Sequence, residues 1–107
     1  METFHAHIYF AENESLLAEK VRDSLVYAVP EATYVSELIL NPSKPHSRPM
    51  FEIHIPSSSI SAVARIIDRK RAGLSVLIHP AQEDKLAAHT IFARWLGEKL
   101  PLNLEAL

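Results

Sequence analysis

The sequence predicts an α+β fold in which strands and helices follow in the order β-α-β-β-α-β, with an additional helix at the C-terminal end. Four short segments alternate apolar and polar residues, as strands do. Two segments between them repeat apolar residues at helical spacing, and proline or glycine stands at most of the boundaries. This order is that of the split β-α-β, or ferredoxin-like, antiparallel sheet. The length of 107 residues predicts one domain over residues 1–107.

The first half of the chain supplies two strands and a helix. Residues 4–10 (FHAHIYF) alternate aromatic or β-branched residues with polar ones and predict the first strand. A helix is expected to begin near Asn13 and to stop at Pro30. The segment from Ala32 to Leu40 is rich in β-formers and predicts the second strand. Residues 41–49 contain three prolines and must form a loop.

The second half repeats the pattern. Residues 50–55 predict the third strand, and an amphipathic helix follows from Ile60 to about Ala72, with Gly73 as its C-terminal cap. Residues 74–79 predict the fourth strand. A last helix is expected over residues 83–96.

Composition excludes several classes of protein. The chain has no cysteine, which excludes disulfide scaffolds, zinc ribbons and thiol nucleophiles. Eleven basic residues against 13 acidic ones give a net charge of −2, so we expect neither nucleic acid nor an anionic membrane as a partner. The apolar runs are too short to cross a bilayer, and the first ten residues do not resemble a signal peptide. A cytoplasmic location is therefore expected.

Histidine is the one residue type in excess, with six in the chain. In the usual strand order 4-1-3-2, the first strand lies between the third and the fourth and runs antiparallel to both. The strand face opposite the apolar one then carries His5, His7, His54, His79 and the carboxylate of Glu52. Opposed residues on neighbouring strands lie about 5 Å apart, so three or four imidazoles are expected to converge.

Such a cluster has two interpretations. Neutral imidazole binds Fe(II), Zn, Ni or Cu, and a few histidines on one side of an ion leave coordination positions open for other molecules. Alternatively, a His-x-His pair on a strand is simply a pair of solvated strand residues. The residue pattern alone leaves both interpretations open.

Four blocks of the sequence resemble the DOPA 4,5-dioxygenase family of small aromatic ring-cleaving dioxygenases. They are HAHIYF in the first strand, the Pro45-His46 loop before the Phe51-Glu52 strand, GLSVLIHP at the fourth strand, and an HT…WLG…LPL tail. The last two blocks are the specific ones, and the resemblance covers almost the whole chain.

The resemblance implies a non-haem iron dioxygenase of extradiol type, which opens the ring of a catechol (DOPA-like or a related dihydroxy aromatic) with O₂. The family's histidine positions match His5, His7, His46, His79 and His89. We expect His7, His46 and His79 to bind Fe(II), with His5 as the substitute if His46 is too distant. Zn or Ni is expected to replace iron in purified samples, because both bind these ligands more tightly.

The remaining roles follow from the same resemblance and the strand assignment. His89 is the candidate for proton transfer, and Tyr9 is a hydrogen-bond donor to the substrate. His5, Arg71 and Glu52 are the candidates for substrate binding.

Two segments depart from the family pattern. Lys44-Pro45-His46-Ser47 stands where the family resembles Gly-Pro-His-Pro, and residues 81–84 replace a small polar turn. These departures favour an alternative, a catalytically inactive ferredoxin-like module for metal binding, ligand binding or dimerisation. A homodimer is expected in either case, and one built on the open face or the tail would bury Leu77, Leu102 and Leu104. An RNA-binding module is disfavoured, because the open face offers only Tyr9 for base stacking.

Overall fold

The computed structural model describes residues 2–107 as a five-stranded antiparallel sheet in the order β2-β3-β1-β4-β5. The strands are β1 (Thr3–Tyr9), β2 (Tyr34–Val35), β3 (Met50–Pro56), β4 (Val76–Pro80) and β5 (Arg94–Leu96), and the helices are α1 (Ser15–Ala28), α2 (Ile60–Lys70) and α3 (Lys85–Ala88). The α+β class and the predicted order of the first four strands are confirmed. Among the residues described, no helix combines the length and the apolar character needed to cross a membrane.

The centre of the sheet is β1, which pairs with β3 on one side and β4 on the other. His5 lies opposite His54 of β3 and His79 of β4. His7 lies opposite Glu52 and Leu77 in the same two strands. Because all three strands place alternate residues on the same face, the register brings the polar set of each strand together.

The main core lies between the sheet and helices α1 and α2. Ala6, Ile8, Phe51 and Ile53 of the sheet are fully buried there, together with apolar residues of both helices. The alternation of the sequence predicted this phase. Burial of one face fixes the register of the strands, because a slip of one residue would move every apolar side chain to the other face.

The second face of the sheet is covered at one end by the last part of the chain, residues 90–107, here called the C-terminal segment. A smaller apolar cluster forms there from Tyr9, Met50, Leu77 and Leu100. Leu77 is 0% exposed. The expectation that a homodimer would bury Leu77 was wrong, because the single chain already covers this residue.

The predicted helix over residues 83–96 was also wrong in its extent. Only α3, Lys85–Ala88, is helical, and Arg94–Leu96 forms β5 at the edge of the sheet. Without β5, one edge of β4 would leave its backbone amides and carbonyls without partners in the sheet. Pairing of Leu77 with Trp95 and of Val76 with Leu96 satisfies them, and this gain outweighs the helical preference of the segment.

The second strand is shorter than predicted. The ladder with β3 covers only Tyr34 and Val35, and an isolated bridge joins Ile39 to Met50. Between them, the amide of Glu52 donates to the side-chain oxygen of Ser36 at 2.9 Å. The serine hydroxyl replaces a backbone acceptor at this point, which interrupts the ladder.

Leu77→Ala is expected to destabilise the protein by about 2–5 kcal/mol, because it leaves a cavity under the C-terminal segment. Leu16→Ala, at a helix position that is 71% exposed, is the matched control and is expected to change stability by no more than about 0.5 kcal/mol. Urea unfolding of both variants measures the difference. Equal stability of the two variants would show that the C-terminal segment does not pack on the sheet.

Candidate metal centre

Five of the six histidines converge at the central strand, from two strands and two connecting segments. His7 lies between His46 and His79, with ring centroids 4.2 and 5.0 Å away. His89 follows α3, and its ring centroid lies 4.1 Å from that of His79. His5 lies 5.4 Å from His79 on the other side. The convergence predicted from strand order is therefore present.

The loop that carries His46 is held against the C-terminal segment. The hydroxyl of Ser47 donates to the carbonyl of Pro101 at 3.1 Å, and the amide of Asn103 donates to the carbonyl of Pro45 at 2.9 Å. These two contacts bring the proline-rich loop over β1. His46 reaches the cluster although the residues around it depart from the family pattern.

His5, His7 and His79 form the set with the geometry of a metal site. Each offers one ring nitrogen, and the three nitrogens lie within 4.8 Å of one another. His7 and His79 are only 4% and 5% exposed, and His5 is half-buried. The Nε2 atoms of His7 and His79 are 2.9 Å apart. Two nitrogens about 2.1 Å from one ion lie roughly 3.0 Å apart at right angles, so this spacing suits two neighbouring ligands.

The hydrogen-bond partners of these two rings bear on whether a cation can lie between them. The Nδ1–H of His79 donates to the carbonyl of Pro80 at 2.9 Å, which leaves a lone pair on its Nε2. His7 Nδ1 lies 3.1 Å from Met50 Sδ, an atom that can only accept. If His7 donates to that sulfur, the Nε2 lone pairs of His7 and His79 face each other. A cation between them turns this repulsion into attraction.

A proton is a poor candidate for that cation. Burial, followed by the neighbouring His46 and His79, lowers the pKa of His7 well below its ordinary value of 6.5. Burial and the charges of His89, His5 and His46 lower the pKa of His79 to about 3, against the opposing effect of the Pro80 carbonyl. Both rings are therefore neutral near pH 7, which is the form that binds metal ions.

Two further residues supply a proton donor and a proton acceptor. The Nδ1–H of His89 donates to the carbonyl of Lys85 at 2.7 Å, so its Nε2 keeps a lone pair. Tyr9 Oη lies 2.7 Å from His46 Nδ1. Burial, and then Glu52, raises the pKa of Tyr9 above its ordinary value, so its hydroxyl stays protonated and donates to His46. The neutral His46 then carries its own proton on Nε2.

A second group with possible ligands, His5, Glu52 and His54, lies on the more exposed side of the cluster. The rings of His5 and His54 are stacked, with centroids 3.9 Å apart and planes within 12°. Ring lone pairs lie in the ring plane, so two stacked imidazoles do not point at one ion. His54 instead pairs with Glu52 through Nε2 and Oε2 at 3.0 Å.

The model of the Dopa 4,5-dioxygenase family matches residues 4–106 of the chain. The chain belongs to this family. The DOPA 4,5-dioxygenase of Amanita muscaria is 31% identical over 114 residues, an alignment that covers 100% of this chain and 50% of that protein. The chain thus spans about half the length of this curated relative.

A solved structure shares the fold of this family member. It is the crystal structure of a protein of Nostoc punctiforme PCC 73102 that carries a provisional description as a dioxygenase. The TM-score is 0.88 at 30% sequence identity, and the match covers 98% of this chain and 90% of the other. The likeness therefore extends through the C-terminal segment that covers the histidine cluster.

Most of the predicted site residues of this family member lie at the histidine cluster, but one does not. Glu52 lines a cavity of about 300 Å³ together with five of the histidines, His5, His7, His46, His79 and His89. Tyr9 is not part of its lining and contacts the cluster through its hydrogen bond to His46. Arg71 does not reach it. The Arg71 guanidinium donates to Asp68 and to the carbonyl of Leu74, before the start of β4, whereas His79 lies near the end of that strand.

Met50 is one of the residues of this cavity that the sequence did not lead us to expect, and Lys44 and Lys85 are others. Met50 lines the histidine cavity, and its sulfur meets His7. The signal was available, because Met50 has the same strand phase as Glu52 and His54. A methionine at a strand start is usually read as core, and Met50 indeed also belongs to the smaller apolar cluster.

The metal-free protein is expected to lose stability in acid. The folded-state pKa values of His79 and His46, about 3 and about 4, lie below the unfolded value of 6.5. Between these pKa values the unfolded chain binds more protons than the folded one. The free energy of unfolding therefore has its maximal value above pH 6.5 and decreases as the pH drops toward 4. A loss of a few kcal/mol is expected, since each unit of pKa shift corresponds to about 1.4 kcal/mol.

Urea unfolding at several pH values, with a chelator present, measures this dependence. His46→Asn keeps an acceptor for the Tyr9 hydroxyl and removes one titrating ring, so its pH dependence should be shallower. A free energy of unfolding that stays constant from pH 6.5 to pH 4 would contradict the buried, neutral state of these rings.

Proposed function

We propose that this chain is a non-haem Fe(II) dioxygenase that opens the ring of an aromatic diol with O₂. The observation that carries the proposal is the facing pair of neutral imidazole nitrogens of His7 and His79, 2.9 Å apart, at the wall of a cavity. Membership of the Dopa 4,5-dioxygenase family supports the reaction class. Retention of His46 in the cluster favours an active protein over the inactive binding module.

His5, His7 and His79 are the proposed metal ligands. His46 was the expected third ligand, with His5 as its substitute. His5 is preferred because its ligand nitrogen lies within 4.8 Å of those of His7 and His79, whereas Tyr9 donates to His46 and leaves a proton on its Nε2. Three ligands on one side of an ion leave open positions for the diol and O₂.

Iron bound there would supply the redox and Lewis-acid chemistry that O₂ and a diol require. The protein's own contribution begins with His89. Its Nε2 lone pair can accept a proton from a diol hydroxyl in the cavity, while its Nδ1–H stays bonded to the carbonyl of Lys85. That bond fixes the tautomer and the ring orientation needed for the transfer.

The Tyr9–His46 pair supplies a donor beside His89, with the ring centroids of His46 and His89 5.9 Å apart. Because Tyr9 donates to Nδ1, the Nε2–H of His46 is available to a substrate oxygen. Burial and the nearby His89 lower the pKa of His46 to about 4, which keeps the ring neutral and its single proton in place. This assigns to His46 the hydrogen-bonding role that was expected of Tyr9, with Tyr9 fixing its tautomer.

Glu52 and His54 are proposed to position His5. The carboxylate of Glu52 holds His54, and His54 stacks on His5, so the pair fixes the plane of the His5 ring. Glu52 was expected to bind substrate, and this contact gives its carboxylate a partner within the chain instead.

His79→Ala is expected to abolish stoichiometric binding of Fe(II) or Zn(II), because it removes one of the two facing nitrogens. Isothermal titration of the chelator-treated protein measures the stoichiometry, and circular dichroism checks that the variant is folded. His54→Gln, which removes the stacking partner of His5 but no proposed ligand, is expected to retain one ion per chain. Loss of binding in His54→Gln with retention in His79→Ala would move the metal site to His5, Glu52 and His54.

The activity test is reconstitution with Fe(II) under anaerobic conditions after removal of Zn and Ni, followed by O₂ uptake with a panel of catechols. Catechol-dependent uptake with a new visible absorbance band is expected, and His89→Asn should lower turnover by about 100-fold or more while Fe(II) still binds. A protein that binds Fe(II) stoichiometrically but consumes no O₂ with any catechol would support the inactive module instead.

A further inference from the structure

A second cavity, of about 460 Å³, adjoins the histidine cavity and has a different chemistry. It is walled by Ile91, Ala93, Trp95, Leu100, Leu102 and Leu104. His89 lines both cavities, so the proposed proton acceptor stands at their boundary. A cavity of this size and apolar character is in the range of small-molecule sites.

The charged side chain in the wall of this cavity is a cation. Lys99 is on its wall, and the lining within the described part of the chain contains neither aspartate nor glutamate. A ligand with an apolar body and a carboxylate therefore finds a complementary surface, whereas an ammonium group would meet Lys99 with no anion beside it.

We propose that the apolar cavity binds the side arm of the substrate, and that this arm is an arylalkyl carboxylate without an amino group. The inference rests on the proposed function, in which the diol ring occupies the histidine cavity on the other side of His89. The preferred substrate is then a catechol with a short alkyl chain that ends in a carboxylate. A catecholamine brings an ammonium group to Lys99 without a carboxylate and binds less well, and a catechol amino acid loses part of the gain from its carboxylate because its ammonium group also approaches Lys99.

Trp95 allows the cavity to be tested without turnover. It is the only tryptophan of the chain and lies in the cavity wall, so its fluorescence reports on occupancy. The probes are 3-phenylpropionate and 2-phenylethylamine, which have the same apolar body and opposite charges. Neither has a diol, and the full-length protein is stripped of metal, so chelation and ring cleavage play no part.

We expect 3-phenylpropionate to change the emission of Trp95 saturably and to bind about fivefold or more tightly than 2-phenylethylamine. An exposed ion pair increases binding affinity by up to roughly fivefold. Attraction to Lys99 raises the affinity of the acid, and repulsion from Lys99 lowers the affinity of the amine. Lys99→Met is expected to remove the preference for the acid. Lys70→Met, which makes the same charge change in the last turn of α2 and away from the cavity, should leave the preference intact.

Ala93→Leu tests the apolar part of the site. The larger side chain fills part of the cavity, so both probes should bind more weakly while the charge preference persists. In iron-loaded protein, the same variant should raise KM for a carboxylate-bearing catechol more than for unsubstituted catechol.

Two outcomes would overturn the proposal. Equal affinity for acid and amine in the wild-type protein would remove the role of Lys99. The absence of any response to 3-phenylpropionate, with Trp95 emission shifting as the protein concentration rises, would assign the cavity to a second copy of the chain. Neither outcome depends on O₂ uptake, and an absence of O₂ uptake with normal probe binding would count against the proposed reaction alone.

Discussion

Two imidazole nitrogens that face each other at 2.9 Å, on rings that are almost fully buried, are the constraint on which the proposed site depends. The carbonyl of Pro80 commits the proton of His79 to the far side of its ring, and Met50 offers His7 an acceptor in the same way. One backbone carbonyl and one side-chain sulfur thereby favour the tautomers in which both Nε2 lone pairs point into the site. Since burial lowers the pKa of both rings, a metal ion is a better partner for this pair than a proton.

The sheet fixes the positions of the two rings, and the C-terminal segment covers part of the sheet face on which they lie. His7 and His79 sit on adjacent strands whose register is fixed by a buried core on the other face. The C-terminal segment adds an edge strand, a smaller apolar cluster over Leu77, and the Asn103 amide, which donates to the carbonyl of Pro45 in the histidine loop. The segment that completes the backbone pairing of β4 also packs over the face of the sheet that carries the proposed metal-binding rings.

Sequence reasoning predicted the parts of the structure that follow from local periodicity. The two-residue alternation in β1 and β3 gave the correct face for His5, His7 and Glu52, and the strand order then brought His79 to them. The segment from residue 83 to 96 was misassigned because its fate depends on an edge of β4 that lies close only after folding. Arg71 was misjudged for a related reason, since its partners Asp68 and Leu74 depend on how the chain leaves α2. The apolar cavity could not be foreseen at all, because it exists only where the misassigned segment lies over the sheet.

The position of His89 between the two cavities has an evolutionary consequence. The proposed metal ligands belong to strands that few substitutions can alter without loss of the fold, whereas the wall beyond His89 is built by residues 90–104, at the edge of the sheet. Changes in that short stretch can alter which molecules the apolar cavity accepts while the histidine cluster stays as it is. Relatives of this chain can thus diverge in substrate preference while they keep the same reaction.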